Sequence, residues 1–500
     1  MARYLSRRRL VSASFATLGA SILLGATVAA PSSMMASAAA ATQSTSPGTS
    51  CSTPAPAPAS RVGAARSGIG GIQWGRQRGS GAACGGQAPT SPATPPSPAW
   101  HGSPPLAFHG GPVTGTTTPG ELTVTPVYWV PAGFSLPATY QSTINTFMAD
   151  AAADSGKTTN VFSALTQYTN SAGAHINYVL HAGTPITDTT AFPANGCTPD
   201  SGLIWPDGTK YSNCITNGQL LREASSFTTA RSLPNTDLAH LYMYFLPEGV
   251  ETCFTSANGA GGGSCSINAH GGFCAYHAFG APPLVADMNY AVVDSPLGWT
   301  CASDGGSNTG GNQSPHANID ADSEISIASH EIAETITDPT GSAWWDMKGN
   351  EVGDDCGYVY GDSLSFQGTF GSEFNQTING HHYFIQEEFS NQDFALVKSL
   401  ACLQQEESVR VTPTTGTTGA AITVSGGGFA SGEAVKVSYK TGLATPPSVT
   451  LCTTTSTGTG AFSCSASIPS GTSAGATGAH KIVAKGTTSL RKAKVTFTRT

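Results

Sequence analysis

Ten acidic residues fall between Asp320 and Asp355, and Lys348 is the only base among them. Crowding of like charge opposes folding unless protons, cations or a bound metal offset it. This stretch therefore restricts the chain more than any other. Residues 1–104 hold eight Arg and no acid, residues 105–404 hold 28 acids against six bases, and residues 405–500 hold three acids against nine bases. Only 11% of residues are charged, against roughly 25% in an average soluble protein. No basic stripe is interleaved with aromatics, so composition offers no nucleic-acid partner.

Within the acidic stretch, Ser329-His330-Glu331-Ile332-Ala333-Glu334-Thr335-Ile336-Thr337-Asp338-Pro339 has helical spacing. At about 100° per residue, His330 and Glu334 lie roughly 40° apart, with Glu331 and Asp338 on the same side. Ile325, Ala328, Ile332 and Ile336 form the opposite stripe. One face is thus expected to pack into a core while the other presents a nitrogen and several oxygens to a cleft. Asp322 is the expected N-cap and Pro339 the stop.

The spacing resembles the zincin signature H-E-x-x-H, in which two ligands four residues apart bind zinc and the intervening glutamate activates water. Glu334 stands where the second histidine would be. A carboxylate is an accepted zinc ligand at about 2.0–2.2 Å, and it tilts the choice toward harder ions, calcium included. Downstream, Glu351-Val352-Gly353-Asp354-Asp355-Cys356 offers a third ligand. Asp354 is the expected one, because the preceding glycine allows a tight approach and Cys356 can anchor the loop; Glu351 and Asp338 are the alternatives. The expected site is His330, Glu334 and Asp354 on zinc, with Glu331 as general base.

The remaining chain reads as follows. Residues 1–41 look like a signal peptide, with Arg7, Arg8 and Arg9 before an apolar run from Leu10 to about Ala30 and small residues from Ala36 to Ala41. The n-region leaves Sec and twin-arginine export both open. Residues 42–104, rich in Ser, Thr, Pro, Gly and Ala, read as a disordered linker or propeptide. Residues 105–404 alternate strand and helix patterns and are expected to form an α/β or α+β sheet domain. Its elements are a strand at Leu122–Val130, helices at Ala138–Ala153 and Val161–Tyr168, and a strand at His175–Leu180. A helix capped by Asn217, an apolar strand at Leu238–Leu246, and strands at Phe273–His277 and Ala291–Val293 follow. Residues 405–500 show short alternating strands with frequent turn signals, the pattern of an immunoglobulin-like β-sandwich.

Twelve cysteines in an exported chain are expected to pair, with Cys197–Cys214, Cys452–Cys464 and Cys356–Cys402 the proposed bridges and Cys51–Cys84 a further candidate. No apolar run after the first reaches about 18 residues, so no membrane span is expected after signal cleavage. His270 and His277 read as structural histidines rather than ligands. Asn318, Asp320 and Asp322 alternate oxygen side chains as calcium loops do, and His381 or Tyr383 is placed to assist an oxyanion.

Phe108-His109-Gly110-Gly111-Pro112-Val113, the Ser329-His330-Glu331 helix with Thr337-Asp338-Pro339, Glu351 to Cys356, and the Tyr383 to Cys402 tail together resemble the phosphate-induced, EXORDIUM-like family over about residues 106–402. The resemblance implies an extracellular, cell-wall-associated protein. Two functions are therefore expected to compete. One is a secreted zinc metallopeptidase acting on extracellular peptide or protein, and the other is a non-catalytic protein holding cell-wall polymer or carbohydrate.

Overall fold

The structure, a computed structural model, describes residues 69–74, 76–77, 100–114, 121–199, 210–254, 265–266, 272–279, 284–289, 299–301, 314–361 and 372–500. The expected signal segment, Cys51, Cys84, His270 and the expected strand at 291–293 lie outside these residues.

The fold is mixed and strand-rich, an α+β arrangement of several sheets. Its largest sheet uses β1 (Ile69–Trp74), β2 (Leu122–Trp129), β3 (Leu180–Ala182), β4 (Ile186–Asp188), β5 (His240–Leu246), β6 (Phe273–Ala278) and β7 (Leu284–Asn289). The order runs β1-β6-β7-β5-β2, with β3 and β4 both pairing along β2. Pairs β1–β6 and β6–β7 are antiparallel, whereas β7–β5 and β5–β2 are parallel. β1 falls inside the stretch expected to be linker, and its backbone extends the sheet edge along β6.

β5 shows why the sheet is buried on both sides. Leu241, Met243 and Phe245 join the core beneath α1 (Ala138–Ala153), while Tyr242, Tyr244 and Leu246 join the core beneath α2 (Asn217–Ala230). A period-two strand apolar at both phases needs cover on both faces. On α1, Tyr140, Ile144, Phe147 and Met148 supply the buried stripe. Thr216, one residue before the expected cap Asn217, caps α2, and Gln219 Oε1 accepts from its backbone N–H at 2.9 Å.

Two local expectations change. Residues 176–178 bond to non-strand neighbours, with Ile176 N–H donating to Tyr168 O at 2.9 Å and Gly156 N–H to Tyr178 O at 3.2 Å; Val179 O accepts from Leu122 N–H of β2 at 2.9 Å, and the strand begins at Leu180. The helix carrying His330, α3 (Ile319–Thr337), is capped by Asn318, whose side chain accepts from Ala321 N–H. Asp322 instead accepts from Ser314 Oγ at 2.7 Å and sits 2.5 Å from His316 Nδ1.

Past residue 407 the chain builds two facing sheets. β8 (Ser408–Thr412), β9 (Ala421–Gly427) and β12 (Phe462–Ser467) form one. β10 (Ala434–Lys440), β11 (Ser448–Thr455), β13 (Gly478–Gly486) and β14 (Lys492–Arg499), with Thr415–Gly416, form the other. Val411, Val424, Val437, Tyr439, Ile482 and Phe497 fill the space between. Cys452–Cys464 ties β11 to β12 across the sandwich. Cys197–Cys214 and Cys356–Cys402 also form, and Cys253–Cys265 and Cys274–Cys301 complete five disulfides among the described residues. Arg491, fully buried, fastens the sandwich to the preceding region: its Nε donates to Asp393 Oδ1 at 2.9 Å and its Nη2 to Leu400 O at 2.8 Å.

Candidate metal centre

α3 starts where the sequence favours a start, with the Asn318 cap and with Asp320 and Asp322 in the first turn, where negative charge suits the helix dipole. It does not end as a half-open amphipathic helix. Every residue from Ala321 to Thr337 is buried. The apolar stripe packs with α1, and the polar stripe, expected to line an open cleft, is covered by residues 351–357 and 384–388. Gln386 N–H donates to Ser326 Oγ at 3.1 Å, and Asp354 N–H donates to Glu334 Oε1 at 3.0 Å. Gly353 lies flat on the His330 ring; a Cβ there would fall 2.5 Å from Nδ1. That close approach requires glycine.

The segment carrying His109 docks on the far end of α3. Ala107 and Phe108 pair with Trp345 and Trp344, the His109 ring stacks on Trp345 at 3.3 Å, and Thr114 N–H donates to Ile336 O at 3.0 Å. The two motifs that are far apart in sequence therefore form one structural unit.

His330, Glu334 and Asp354 come together: one ligand atom from each lies within 4.8 Å of the others. His330 Nε2 is 3.0 Å from Glu334 Oε1 and 3.8 Å from Asp354 Oδ1. Yet Nε2 makes no hydrogen bond, although His330 is fully buried, and Glu334 Oε2 makes none either. Two fully buried polar atoms without hydrogen bonds, one turn apart on the same helix, call for a third body to satisfy them. Asp354 is the only member with surface, its side chain 14% exposed.

A second set, His277, Glu331 and Glu334, meets the same spacing and shares Glu334. His277 projects from β6, and its Nε2 lies 3.1 Å from the Asp338 carbonyl oxygen. A carbonyl can only accept, so the ring proton sits on Nε2 and Nδ1 turns its lone pair toward Glu331 Oε2 at 3.4 Å and Glu334 Oε2 at 3.8 Å. Sequence alone points to a structural role for His277, whereas the fold brings it beside Glu331 and Glu334. The available signal was a histidine in the otherwise apolar run Phe273–Ala278, a polar group that must find a partner once the strand is buried.

The alternative ligands do other work. Asp338 Oδ1 accepts from Ser342 N–H at 2.6 Å and Ala343 N–H at 2.8 Å, closing the turn after α3. Glu351 Oε2 lies 3.8 Å from His277 Nε2, outside both sets. His381 and Tyr383 are not brought to the centre: Asp150 Oδ2 of α1 takes both, at 2.6 and 2.5 Å.

Burial is the largest influence on the titration of His277, His330, Glu334 and Asp354. It lowers His277 and His330 to about 4, opposed in the first by the Asp338 carbonyl and in the second by the Asp354 charge and the Gln386 hydrogen bond. It raises Glu334 well above the carboxylate range against hydrogen bonds from the Asp354 and Gly353 backbone. Asp354 rises through burial and the nearby Glu334 charge, and Asp355 and Glu388 rise through burial and neighbouring acids. Without a cation, burial thus favours neutral imidazoles and protonated carboxyls side by side. A divalent ion is the natural substitute for those protons.

The donor set of one imidazole and two carboxylates suits zinc or a harder divalent ion. His330 Nδ1 accepts from Gln386 Nε2 at 2.9 Å, and the same amide donates to Gly353 O at 3.1 Å. The ring proton is therefore on Nε2, facing the carboxylates. A cation bound there displaces that proton, and the Gln386 amide is the group that must respond.

No family model matches the chain, and no curated protein matches it. Among solved structures it is similar to macromomycin, with a TM-score of 0.15 and 18% identity over 19% of this chain and 99% of that one. At that score the likeness carries no argument. Among the described residues, no helix is long and apolar enough to cross a membrane.

Proposed function

We propose that the chain is an extracellular, zincin-like metallohydrolase of the EXORDIUM-like group, acting on peptide or protein, with an immunoglobulin-like sandwich appended. The observation that carries the reading is the convergence of His330 Nε2, Glu334 and Asp354, with Nε2 buried and unbonded. His330, Glu334 and Asp354 would hold the ion, and three protein ligands are the count of a catalytic rather than a structural site. A bound zinc ion would supply a Lewis acid there that makes water acidic near neutral pH.

The chain's own groups then move the proton. Glu331 follows His330 by one residue and takes a proton from the attacking water. Once protonated it can donate to the His277 lone pair 3.4 Å away, and that contact holds the proton until the leaving amine accepts it. Asp354, the exposed edge of the cluster, is the side from which water and substrate approach.

One observation favours a second reading. His330, Glu331 and Glu334 are fully buried, as ligands of a closed structural ion are. The ion would then hold the fold of a non-catalytic protein bound to cell-wall polymer or carbohydrate.

Metal analysis of the purified chain, paired with peptide turnover by wild type and a Glu331→Gln variant, separates the readings. The hydrolase predicts stoichiometric zinc in both and a loss of roughly 10²–10⁴-fold in turnover. Retained metal with no turnover in either protein transfers the case to the structural reading. Absence of any tightly bound divalent ion removes both.

A further inference from the structure

The outer face of the five-stranded sheet carries lysines in register. Lys436 of β10 is directly opposite Lys485 of β13, and Lys485 is directly opposite Lys492 of β14. Lys494 lies opposite Val483 one step along, and Lys440 and Lys481 belong to the same exposed face, alternating with the buried Val437, Tyr439 and Ile482. All six lysines are exposed, and β10, β11, β13 and β14 contain no acid. Lys436, Lys440, Lys485 and Lys492 line one shallow depression whose floor is Val483 and whose edges carry Ser438 and Ser448.

Such a row is unfavourable by itself. Strands lie about 4.8 Å apart, and like charges directly opposite one another destabilise a sheet. A protein that only needed solubility could alternate signs here. Glu433, the acid beside this sheet, is buried and bonded to Ser489 Oγ at 2.6 Å, so it does not neutralise the row.

We propose that this face binds a linear polyol-phosphate chain, one phosphodiester charge per repeat. Lysines recur about 4.8 Å apart across strands and about 6.8 Å along them, a spacing that a flexible phosphodiester chain can follow. Lysine is a point charge suited to single phosphates rather than a bidentate fork. The serine hydroxyls and the small apolar floor match the hydroxyls and carbons between phosphates. A nucleic acid is the poorer occupant, because the face offers no aromatic ring on which a base could stack. The inference stands whether or not the buried centre is catalytic.

The test is calorimetric titration of the full chain with synthetic poly(glycerol phosphate), beside a Lys436→Gln/Lys485→Gln/Lys492→Gln variant and the corresponding triple Lys→Arg variant. The expected result is saturable binding by wild type and the Arg variant, weakening steeply with added salt, and at least tenfold weaker binding by the Gln variant. A thermal melt of the Gln variant at or above the wild-type midpoint establishes that it is folded. Equal binding by wild type and a folded Gln variant overturns the proposal. So does no saturable binding by wild type, or binding of double-stranded DNA or polygalacturonate as tight as that of the phosphate polymer.

Discussion

The helix centre and the lysine face set like charges side by side in opposite media. Around Glu334, burial favours the neutral forms of carboxyls and imidazoles over the charged ones. On the sandwich, every lysine of the row is exposed to solvent, which screens one charge from the next. The contrast teaches that crowding of charge has two resolutions. Inside, protons or a cation must enter; outside, solvent or a polyanion is enough. Arg491 shows a third case, a buried cation already matched to Asp393.

The largest expected effect follows from cation removal. A ligand present at about a thousand times its dissociation constant stabilises by about 4 kcal/mol, so chelation should lower the unfolding midpoint by many degrees. The pH dependence of the metal-free protein sharpens this. Glu334, Asp354, Asp355 and Glu388 have folded values above their unfolded ones, so their contribution is full below about pH 4.5 and is lost as pH rises toward the raised values. His277 and His330 act oppositely, losing stability as pH falls from 6.5 toward about 4. Above pH 6.5 the histidines no longer change, so the metal-free midpoint should fall as pH rises toward the raised carboxyl values while the zinc-loaded one does not. Parallel melts with and without zinc check this; identical slopes would break the contrast between interior and surface.

Arg491→Met removes the buried cation and should cost about 3 kcal/mol, the low end for a broken buried pair, because Asp393 keeps its bond from Ser390 Oγ at 2.6 Å. Urea denaturation measures it. Gly353→Ala pushes a methyl group into the His330 ring and should cost about 1–3 kcal/mol. It should also weaken zinc binding, whereas simple loop strain would leave zinc affinity unchanged. Smallest is Lys485→Thr, which relieves two opposed lysine pairs and should raise stability by about 0.2–1 kcal/mol. A drop in stability there would show that the row is held by contacts rather than strained by charge.

Several features were legible before any coordinates. Alternation and turn residues marked β2, α1, β5 and the strands of the sandwich, because local backbone preferences and periodic burial act over a few residues. Helical spacing put His330, Glu331 and Glu334 on one side, and the Gly353-Asp354-Asp355-Cys356 pattern picked out the loop that meets them. The N-cap was misread because Ser314 and His316 claim the Asp322 carboxylate, a contact that spacing along α3 does not encode.

What the sequence by itself determined is periodic and local: most of the longer helices and strands, three of the five bridges among the described residues, and where charge accumulates. Tertiary structure alone decided that α3 is buried all round and that His277 reaches Glu331 from a strand 54 positions away. It also decided that three lysines on three strands form one row. Those relations depend on register and on which surfaces cover one another, and neither follows from the spacing of residues within a single element.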